Sequence, residues 1–545
     1  MTTVSTRIAE VLVDHVEEVF ALMGNGNAYF VDALSRSPLR VVALRHEAAA
    51  VASADAYHRI TRKLAVATTT YGPGYTNTIT SLIEAAQSRT PLLVVVGDAP
   101  TTGLRPWDVD QSAMAAIAGV RTFTATVDTP GATTLEAIHW ALAERRPAVL
   151  AIPYDVASAD TAEVLTSTAL PPLPAPPAAP IEDLKRVADL LANAQRPLVL
   201  AGRGAREAAE SLGSLADAVG ALTVASAPAH GIFAGRSYDL GVCGGFASEA
   251  SARLIRQADV IFAVGASLNQ FTTSFGHAFD PEATVVQVNL INGPTNPRVD
   301  LSLMSDARVA ATALLDMVPH HDGPRWAGQA EEAAGSRTHL DREEGEEFGP
   351  DGRLDPRPLM RRLNTILPAN RQLVSDGGHF IGWANTYLDL PRPDSITLVG
   401  TIFQSIGLGL PSATGAAIAR PDDTIVVVVG DGGGLMGLPD LDSLIRAANS
   451  AIVLVFNDAA YGAEVHQYGS QGLSQAIMQI DQVDFATVAR GFGASSAVIN
   501  TLEDLTELEA WIGKGAQGTF VADLRISQKV IAPYIQEIIE LTLKK

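Results

Sequence analysis

The sequence is poor in cysteine and in long apolar stretches. Cys243 is its single cysteine, which excludes an internal disulfide bond. Its longest apolar runs, such as Thr424 to Val429, are long enough for a β-strand and too short for a membrane-spanning helix. The first residues, Met1 to Phe20, lack the pattern of a secretory signal and predict an amphipathic helix. We therefore expect a globular protein of the reducing cytoplasm.

Positive charge is also scarce. The chain has 39 Lys and Arg against 60 Asp and Glu, which gives a formal net charge of −21. Nucleic acids and anionic membranes are bound by basic surfaces, so neither is expected as the main partner. The argument does not extend to a small anionic substrate, because the charge of one pocket can differ from that of the whole surface.

The sequence does contain a regular alternation of apolar runs with helical stretches such as Glu47 to Tyr57. Near-continuous apolar runs are typical of strands buried on both faces of a parallel sheet. Their alternation with helices indicates an α/β fold with crossover connections. The predicted strands are Leu64 to Thr70, Leu92 to Gly97, Ala148 to Ile152, Leu198 to Gly202, Val260 to Gly265, Val285 to Leu290, Leu373 to Asp376, Ile425 to Asp431 and Ile452 to Asp458.

Two stretches divide the chain. The proline-rich segment Leu170 to Pro180 can continue neither a helix nor a central strand, and it predicts an extended linker over 166–180. The segment from about Gly323 to Gly352 is charged and glycine-rich, without a strand pattern. We therefore place three domains at 1–165, 181–325 and 350–545.

Two acidic residues follow neighbouring predicted strands of the third domain. Asp431 comes directly after one strand and Asp458 after the next. The carboxyl ends of parallel strands face one crevice, so the two side chains are expected to converge there. Two carboxylates with nearby carbonyls suit Mg²⁺, and the glycines after Asp431 allow a phosphate to approach the backbone. An ordinary glycine-rich turn is the alternative for this segment taken alone.

The stretch GDGGGLMGLPDLDSLIRAANSAIVLVFND resembles the thiamine diphosphate signature, which begins with Gly-Asp-Gly and ends at two asparagines. Asp458 stands at the second asparagine and remains an oxygen ligand. The resemblance implies Asp431, Asp458 and the main-chain carbonyl of Ala460 as Mg²⁺ ligands. It also implies that His379 lies near the diphosphate, although a surface-loop histidine is an equal alternative. The remaining residues implied at the cofactor are Gly430, Gly432, Gly433 and Tyr461.

The N-terminal segment from Arg45 to Pro100 resembles the pyrimidine-binding domain of the acetolactate synthase and benzoylformate decarboxylase group. The likeness is carried by HEAAA, by GPGYTN and by SRTPLLVVVGD. It implies that Glu47 is the acid that activates the cofactor, whereas a favourable charge at a helix N-terminus is the alternative. It also implies three doubly wound parallel-sheet domains, named pyrimidine-binding, central and diphosphate-binding. Active sites between subunits of a homodimer or homotetramer would follow.

A third segment, TIFQSIGLGLPSATGAA from Thr401 to Ala417, resembles the family loop at the aminopyrimidine. Ile406 stands where the family places a bulky aliphatic residue that bends the cofactor. The Gln404 carbonyl would accept a hydrogen bond from the cofactor's amino group. An ordinary core position is the alternative for Ile406.

The type of reaction depends on the pocket residues. Family members form an enamine from a 2-oxo acid, which then meets a proton, a second carbonyl or an oxidant. Thr70 and Ala28 replace proton-handling residues of the decarboxylases, which favours coupling to a second carbonyl. Glu464 favours simple decarboxylation, unless it faces solvent. Further pocket candidates are Tyr71, Trp107 and Gln467, of which the last two depart from the synthase pattern.

These observations predict a thiamine diphosphate- and Mg²⁺-dependent carboligase or lyase that acts on a 2-oxo acid such as pyruvate, with an aldehyde or 2-oxo acid as acceptor. A non-oxidative 2-oxo-acid decarboxylase is the first alternative. A cofactor-binding protein without turnover and a dinucleotide-dependent oxidoreductase are alternatives of other classes. FAD in the central domain is not supported, because Leu268, Asn269 and Gln270 differ from the synthase pattern.

Overall fold

The structure is a computed structural model that describes residues 2–326, 329 and 343–543. Its strands form three parallel sheets of six strands each, together with one short antiparallel pair, Thr2–Thr3 with Asp160–Thr161. The predicted α/β class with three doubly wound parallel sheets is confirmed. In the described part of the chain, no helix has the length and apolar character needed to cross a membrane.

The N-terminal sheet is built from strands that lie between residues 18 and 153. Helices pack on both of its faces around two apolar clusters. In spatial order the strands are Arg40–Ala43, Glu18–Ala21, Ala65–Thr69, Leu92–Asp98, Ala148–Pro153 and Arg121–Thr124. The helices are Val4–Val13, Ala28–Ser35, Glu47–Thr61, Pro73–Thr76, Ile79–Gln87, Gln111–Ile117 and Pro130–Glu144.

The helix predicted over Met1 to Phe20 is wrong in its second half. The helix ends at Val13, and Glu18–Ala21 forms an inner strand between Arg40–Ala43 and Ala65–Thr69. Val19 and Phe20 are fully buried there. Pairing with two neighbouring strands therefore overrides the local helical pattern.

The central sheet follows the segment at 170–180, which contains neither helix nor strand. Its strands in spatial order are Asp239–Val242, Leu222–Ala225, Pro197–Ala201, Val260–Val264, Thr284–Asn289 and Leu301–Met304. Its helices are Ile181–Asn193, Ala209–Val219, Glu249–Arg256 and Ala307–Leu315.

The C-terminal sheet carries the two acidic turns. Its strands in spatial order are Ile396–Thr397, Arg371–Ser375, Thr424–Gly430, Ser450–Phe456, Gly518–Leu524 and Ser495–Ile499. Its helices are Pro356–Ile366, Ile381–Tyr387, Gly409–Ala419, Asp431–Met436, Pro439–Ala447, Gly462–Gly469, Phe485–Gly491, Thr506–Gly513 and Pro533–Leu543. The short 3₁₀ turns in the described residues are Asn25–Asn27, Arg203–Ala208, Ala227–Ala229, Gly244–Phe246, Ser274–Gly276, Ala476–Met478 and Glu503–Leu505.

The N-terminal and C-terminal domains pack through two helices, Glu47–Thr61 and Gly409–Ala419. The Ser53 hydroxyl donates to the Pro411 carbonyl at 2.7 Å. A Cβ on Gly415 would lie 1.9 Å from the Ser53 carbonyl oxygen, so the two helices approach as closely as their backbones permit. This contact fixes how the helix that begins at Glu47 sits on the domain that contains the acidic turns.

Candidate active site

Asp431 and Asp458 follow the carboxyl ends of two neighbouring inner strands of the C-terminal sheet. Their strands pair in register, with Gly430 opposite Phe456, so the turns that follow lie side by side. The Gly432 amide donates to Asp431 Oδ1 at 2.9 Å, and the Ala460 amide donates to Asp458 Oδ1 at 3.2 Å. Both carboxylates are buried. The predicted convergence of these two strand ends is seen in the structure.

The negative charge of this pair is only partly compensated by backbone amides and by Arg353. Burial raises the pKa of both carboxyl groups, and the neighbouring Asp431 charge raises the pKa of Asp458 further. A cation between them would remove that cost, and two carboxylates with a carbonyl suit Mg²⁺. No group of three or more acidic, His or Cys side chains suited to a metal occurs among the described residues, so a cation here would need backbone and phosphate oxygens as well.

The two acidic turns open into a pocket whose wall comes from residues 377–526. Its glycines are needed for packing as well as for ligand access. A Cβ on Gly432 would lie 2.7 Å from the Tyr461 ring, and one on Gly433 would lie 2.8 Å from Asp376 Oδ2. The predicted residues that line this pocket are His379, Ile406, Gly430, Asp431, Gly432, Gly433, Asp458, Ala460, Tyr461 and Glu464.

His379 is buried in the pocket wall, so the surface-loop alternative is wrong. Its Nε2 accepts a hydrogen bond from the Ala532 amide at 2.8 Å, which leaves the proton on Nδ1. Its ring packs on His466 with 4.7 Å between centroids. Burial lowers the pKa of His379 to about 3 and that of His466 to about 4, so both rings are neutral at pH 7.

Ile406 lies on a loop that crosses the pocket. Its side chain is 40% exposed and reaches the pocket wall beside Gly377, which argues against an ordinary core position. Gln404 has a left-handed backbone with φ of 63°, a strained conformation of the kind that clusters at functional sites. Its side chain donates to the Thr401 carbonyl at 2.6 Å. Asp376 holds the end of the loop, because Gly407 donates to both of its oxygens at 2.9 and 3.1 Å.

The helix Gly462–Gly469 forms the rim of the pocket. Glu464 is exposed and lines the opening of the pocket, so its part in the reaction stays a prediction. His466 on the same helix is buried against His379. Gln467 is half-buried, and its carbonyl accepts from the Ser470 hydroxyl at 2.9 Å.

Glu47 opens the helix Glu47–Thr61 in the N-terminal domain. Asn77, in the GPGYTN segment, donates to Glu47 Oε2 at 3.0 Å. The other carboxylate oxygen lies against Gly74, where an added Cβ would come within 3.3 Å of it. Arg45, two residues before Glu47, is bound to the C-terminal domain, since its amide donates to Asp440 Oδ1 at 3.0 Å. The carboxyl group of Glu47 is therefore held in a fixed position.

Thr70 lies beside Glu47 on the same surface. Its hydroxyl oxygen accepts from the Gly26 amide at 2.8 Å, and its methyl group would be 2.5 Å from a Cβ on Gly74. Ala28 begins the helix that follows Gly26 and is half-buried. The absence of a side chain at Gly74 thus brings the predicted pocket residue Thr70 close to Glu47.

Tyr71 belongs to an aromatic cluster around Arg105. The guanidinium carbon of Arg105 lies 4.2 Å from the centre of the Tyr71 ring, 4.7 Å from Tyr154 and 5.6 Å from Trp107. Asn25 donates to the Tyr71 hydroxyl at 2.7 Å. Trp107 is 56% exposed. Tyr75, by contrast, is fully buried and packs the core.

The predicted residues thus form two groups. The C-terminal group surrounds Asp431, Asp458 and Ile406, and the N-terminal group surrounds Glu47 and Thr70. The pocket wall draws on residues 377–526 alone, so Glu47 does not line the pocket of its own chain.

Several supporting residues were not predicted from the sequence. Arg353 donates to the Asn457 carbonyl at 2.8 Å and, together with Gln528, reaches the Asp458 carbonyl at about 3.5 Å. Asp376 and Asn77 fix the loop and the carboxyl group described above. Arg353 and Asp376 act on backbone groups and belong to no motif that assigns them this part, whereas Asn77 lies within GPGYTN and only its contact with Glu47 was not predicted.

Known protein families match three separate segments of the chain. Three family models match the chain: the N-terminal binding domain of thiamine pyrophosphate enzymes at residues 2–117, their central domain at 184–314 and their C-terminal binding domain at 376–522.

Similar proteins cover most of the chain at low identity. A pyruvate oxidase of Lactiplantibacillus plantarum is 26% identical, over 90% of this chain and 83% of its own. A sulfoacetaldehyde acetyltransferase of Rhodobacter capsulatus is 28% identical, over 98% and 95%. The large subunit of acetolactate synthase isozyme 2 of Escherichia coli is 25% identical, over 88% and 87%.

Proposed function

Because this chain belongs to the thiamine pyrophosphate enzyme family, we propose that it is a carboligase or lyase of the acetolactate-synthase-like group. Its donor would be a 2-oxo acid such as pyruvate, and the fragment left after loss of CO₂ would be coupled to a second carbonyl compound. The observation that carries this proposal is the pocket in which Asp431, Asp458 and Ile406 meet.

The residues of that pocket fit thiamine diphosphate with Mg²⁺. Asp431, Asp458 and the Ala460 carbonyl would hold the cation, which takes phosphate oxygens as further ligands. His379 would donate from Nδ1, because its Nε2 is already occupied by the Ala532 amide. When bound, the cofactor supplies a carbon nucleophile for the substrate carbonyl and holds the electron pair released with CO₂.

Glu47 is proposed as the group that prepares the cofactor for proton removal. Its carboxyl group would share a proton with a pyrimidine nitrogen and so favour loss of a proton from the cofactor's reactive carbon to the cofactor's own amino group. The hydrogen bond from Asn77 fixes one carboxylate oxygen and leaves the other for this contact.

Coupling is favoured over protonation by two of the predicted pocket residues. Ala28 has no titratable group, and the Thr70 hydroxyl, whose oxygen accepts from the Gly26 amide, is not an acid in the neutral pH range. Neither residue can readily deliver a proton to the fragment left by decarboxylation, so a second carbonyl compound is the preferred acceptor.

A non-oxidative decarboxylase is the second candidate, and Glu464 is the observation that favours it. This carboxyl group is exposed on the rim of the pocket and could donate a proton there. Decarboxylation without coupling would then release an aldehyde.

Product analysis distinguishes the two candidates. The protein, loaded with thiamine diphosphate and Mg²⁺, is incubated with [2-¹³C]pyruvate, alone and with aldehyde acceptors. Carbon NMR should show a product with a new carbon–carbon bond between labelled and acceptor carbons. Aldehyde as the only product would overturn the carboligase proposal, and its loss in Glu464→Gln would establish the decarboxylase.

A dimer or tetramer with sites between subunits is also proposed. Apolar side chains on both groups of site residues are exposed in the single chain: Met23, Tyr29, Trp107, Ile402, Phe403 and Met436. Several exposed apolar side chains around one site are typical of a surface that a partner covers. The pyrimidine-binding group of one chain would then close the pocket of another.

FAD is not included in the proposal. Gly202 and Gly265 follow two adjacent strands of the central sheet, and their backbones are in close contact. A Cβ on Gly202 would lie 2.2 Å from the Gly265 carbonyl oxygen. This close approach at the middle of the sheet supports a structural use of both glycines.

A further inference from the structure

A buried ion cluster lies between two helices of the N-terminal domain. Arg59 donates from Nε to Asp55 Oδ1 at 2.6 Å and from Nη2 to Glu84 Oε1 at 3.0 Å. Ser88 donates to the same Glu84 oxygen at 3.0 Å. Asp55 and Glu84 are fully buried, and Arg59 nearly so. The cluster satisfies one oxygen of Glu84 within the N-terminal domain.

The second oxygen of Glu84 reaches into the C-terminal domain. Glu84 Oε2 accepts from the Ile402 amide at 3.1 Å and from the Phe403 amide at 2.7 Å. Both amides belong to the loop that carries Gln404 and Ile406. Charge-assisted hydrogen bonds to a carboxylate are among the stronger ones, and this carboxylate is shielded from water.

Arg59 holds the base of the same loop. Its Nη1 donates to the Leu398 carbonyl at 2.6 Å. The loop is therefore held through its backbone at Leu398 and at 402–403 by the N-terminal domain, and at Gly407 by Asp376.

The apolar side chains of the loop are only partly buried. Ile402, Phe403 and Ile406 are each between 37% and 40% exposed. A segment that presents apolar side chains outward and contains the left-handed Gln404 depends on its backbone anchors to keep one conformation.

We propose that Glu84 is a positioning residue for the cofactor loop. It sets the Gln404 carbonyl and the Ile406 side chain through the amides of Ile402 and Phe403, with Arg59 and Ser88 fixing the carboxylate. This role rests on the proposed function, because the position of the loop affects the reaction only if thiamine diphosphate binds beside Ile406.

Glu84→Gln is the variant that tests the role with least change of volume. The glutamine side chain can turn its oxygen either to the amides of the loop or to Arg59 and Ser88. Its NH₂ group then faces the hydrogen-bond donors on the other side, and those donors lose their acceptor. The loop should become more mobile. The metal and phosphate part of the pocket should stay intact, because Glu84, Arg59 and Ser88 do not line it.

Two readouts separate positioning from general damage. Amide hydrogen exchange of peptides covering 399–407 in the holoenzyme should be faster in Glu84→Gln. The rate at which the C2 proton of bound thiamine diphosphate exchanges with solvent deuterium should fall about 10- to 100-fold, since misplacement near 1 Å costs rates of that order. The dissociation constant of the cofactor with Mg²⁺ should change by less than about threefold, because the metal and phosphate ligands remain in place.

Glu136→Gln is the matched control. Glu136 lies on another helix of the same domain, in an exposed ion pair with Arg121 at 3.2 Å. This variant should leave both exchange rates unchanged. Ser88→Ala is the milder second variant if Glu84→Gln fails to fold, and it should slow C2 exchange by a smaller factor in the same direction.

Each outcome decides a separate point. Wild-type amide protection and C2 exchange in Glu84→Gln, or in Ser88→Ala where the first is unfolded, would overturn the positioning role. If Glu136→Gln changed the amide exchange and the C2 exchange as much as Glu84→Gln does, the positioning role would be overturned as well. Wild-type protein that binds no thiamine diphosphate, or shows no accelerated C2 exchange, would instead overturn the proposed function itself.

Discussion

At the residue scale, the carboxylates of the site differ in how their charge is compensated. Glu84 faces Arg59 and two amides, whereas Glu47 is half-buried beside Asn77. Asp431 and Asp458 are buried together with backbone amides as their main partners. These differences predict distinct effects for single isosteric substitutions.

Glu47→Gln should abolish turnover while leaving cofactor binding nearly unchanged. The amide keeps the shape of the side chain but cannot supply the anionic acceptor that activates the pyrimidine, and such acid–base groups contribute about 10²- to 10⁴-fold. Steady-state rates with pyruvate and a fluorescence titration with thiamine diphosphate measure the two effects. Activity equal to that of wild type would refute the assigned role.

Asp458→Asn should stabilise the metal-free protein and weaken metal binding. The pKa of both carboxyls is raised in the folded state, so unfolding is favoured as pH rises and these groups ionise. Removing one buried and only partly compensated charge should add about 1–3 kcal/mol to the free energy of unfolding in EDTA at pH 8, the usual scale for a buried group with incomplete partners. The gain should shrink as the pH is lowered.

Thermal unfolding with and without Mg²⁺ and cofactor measures both parts of that prediction. Wild type should gain more stability from the ligands than Asp458→Asn does. A variant that is less stable than wild type in EDTA would show that the Asp458 charge is compensated by the protein itself.

At the element scale, most inner strands of the sheets were predicted from the sequence and the edge strands were not. Runs such as Val426 to Val429 are apolar throughout because helices cover both faces of the sheet. Edge strands such as Arg40–Ala43 and Ser495–Ile499 mix exposed and buried positions, and the inner strand Glu18–Ala21 lies in a segment whose local pattern predicts a helix. Their pairing depends on neighbours far away in the sequence, which a local pattern does not contain.

Gly415→Ala should be strongly destabilising because of helix packing. A Cβ there would lie 1.9 Å from the Ser53 carbonyl, so the helices Glu47–Thr61 and Gly409–Ala419 would be forced apart. The cost should be about 3 kcal/mol or more, at the upper end for overpacking. Gly491→Ala is the control, since nothing lies within 4 Å of its added Cβ. Urea unfolding of both variants checks this, and equal midpoints would contradict the packing account.

At the scale of the whole molecule, the three domains meet through arginine side chains. Arg206 of the central domain donates to the Ile396 carbonyl at 2.6 Å and to the Arg59 carbonyl at 3.3 Å, and Arg203 donates to the Ser88 carbonyl at 2.6 Å. These contacts join residues more than a hundred positions apart. The motifs predicted which residue types serve the site, but only the fold shows that Glu47 and the Asp431 pocket are separate groups within one chain.

The most direct test of the proposed site is a mixture of two inactive variants, Glu47→Gln and Asp431→Ala. If the Glu47 carboxyl of one chain completes the Asp431 pocket of another, each mixed dimer contains one intact site and one doubly altered site. Random mixing should then restore about a quarter of wild-type activity per chain, as two-fold symmetry requires. Co-expressed variants that remain as inactive as either parent, with mixed dimers shown by mass spectrometry, would contradict a site assembled between subunits.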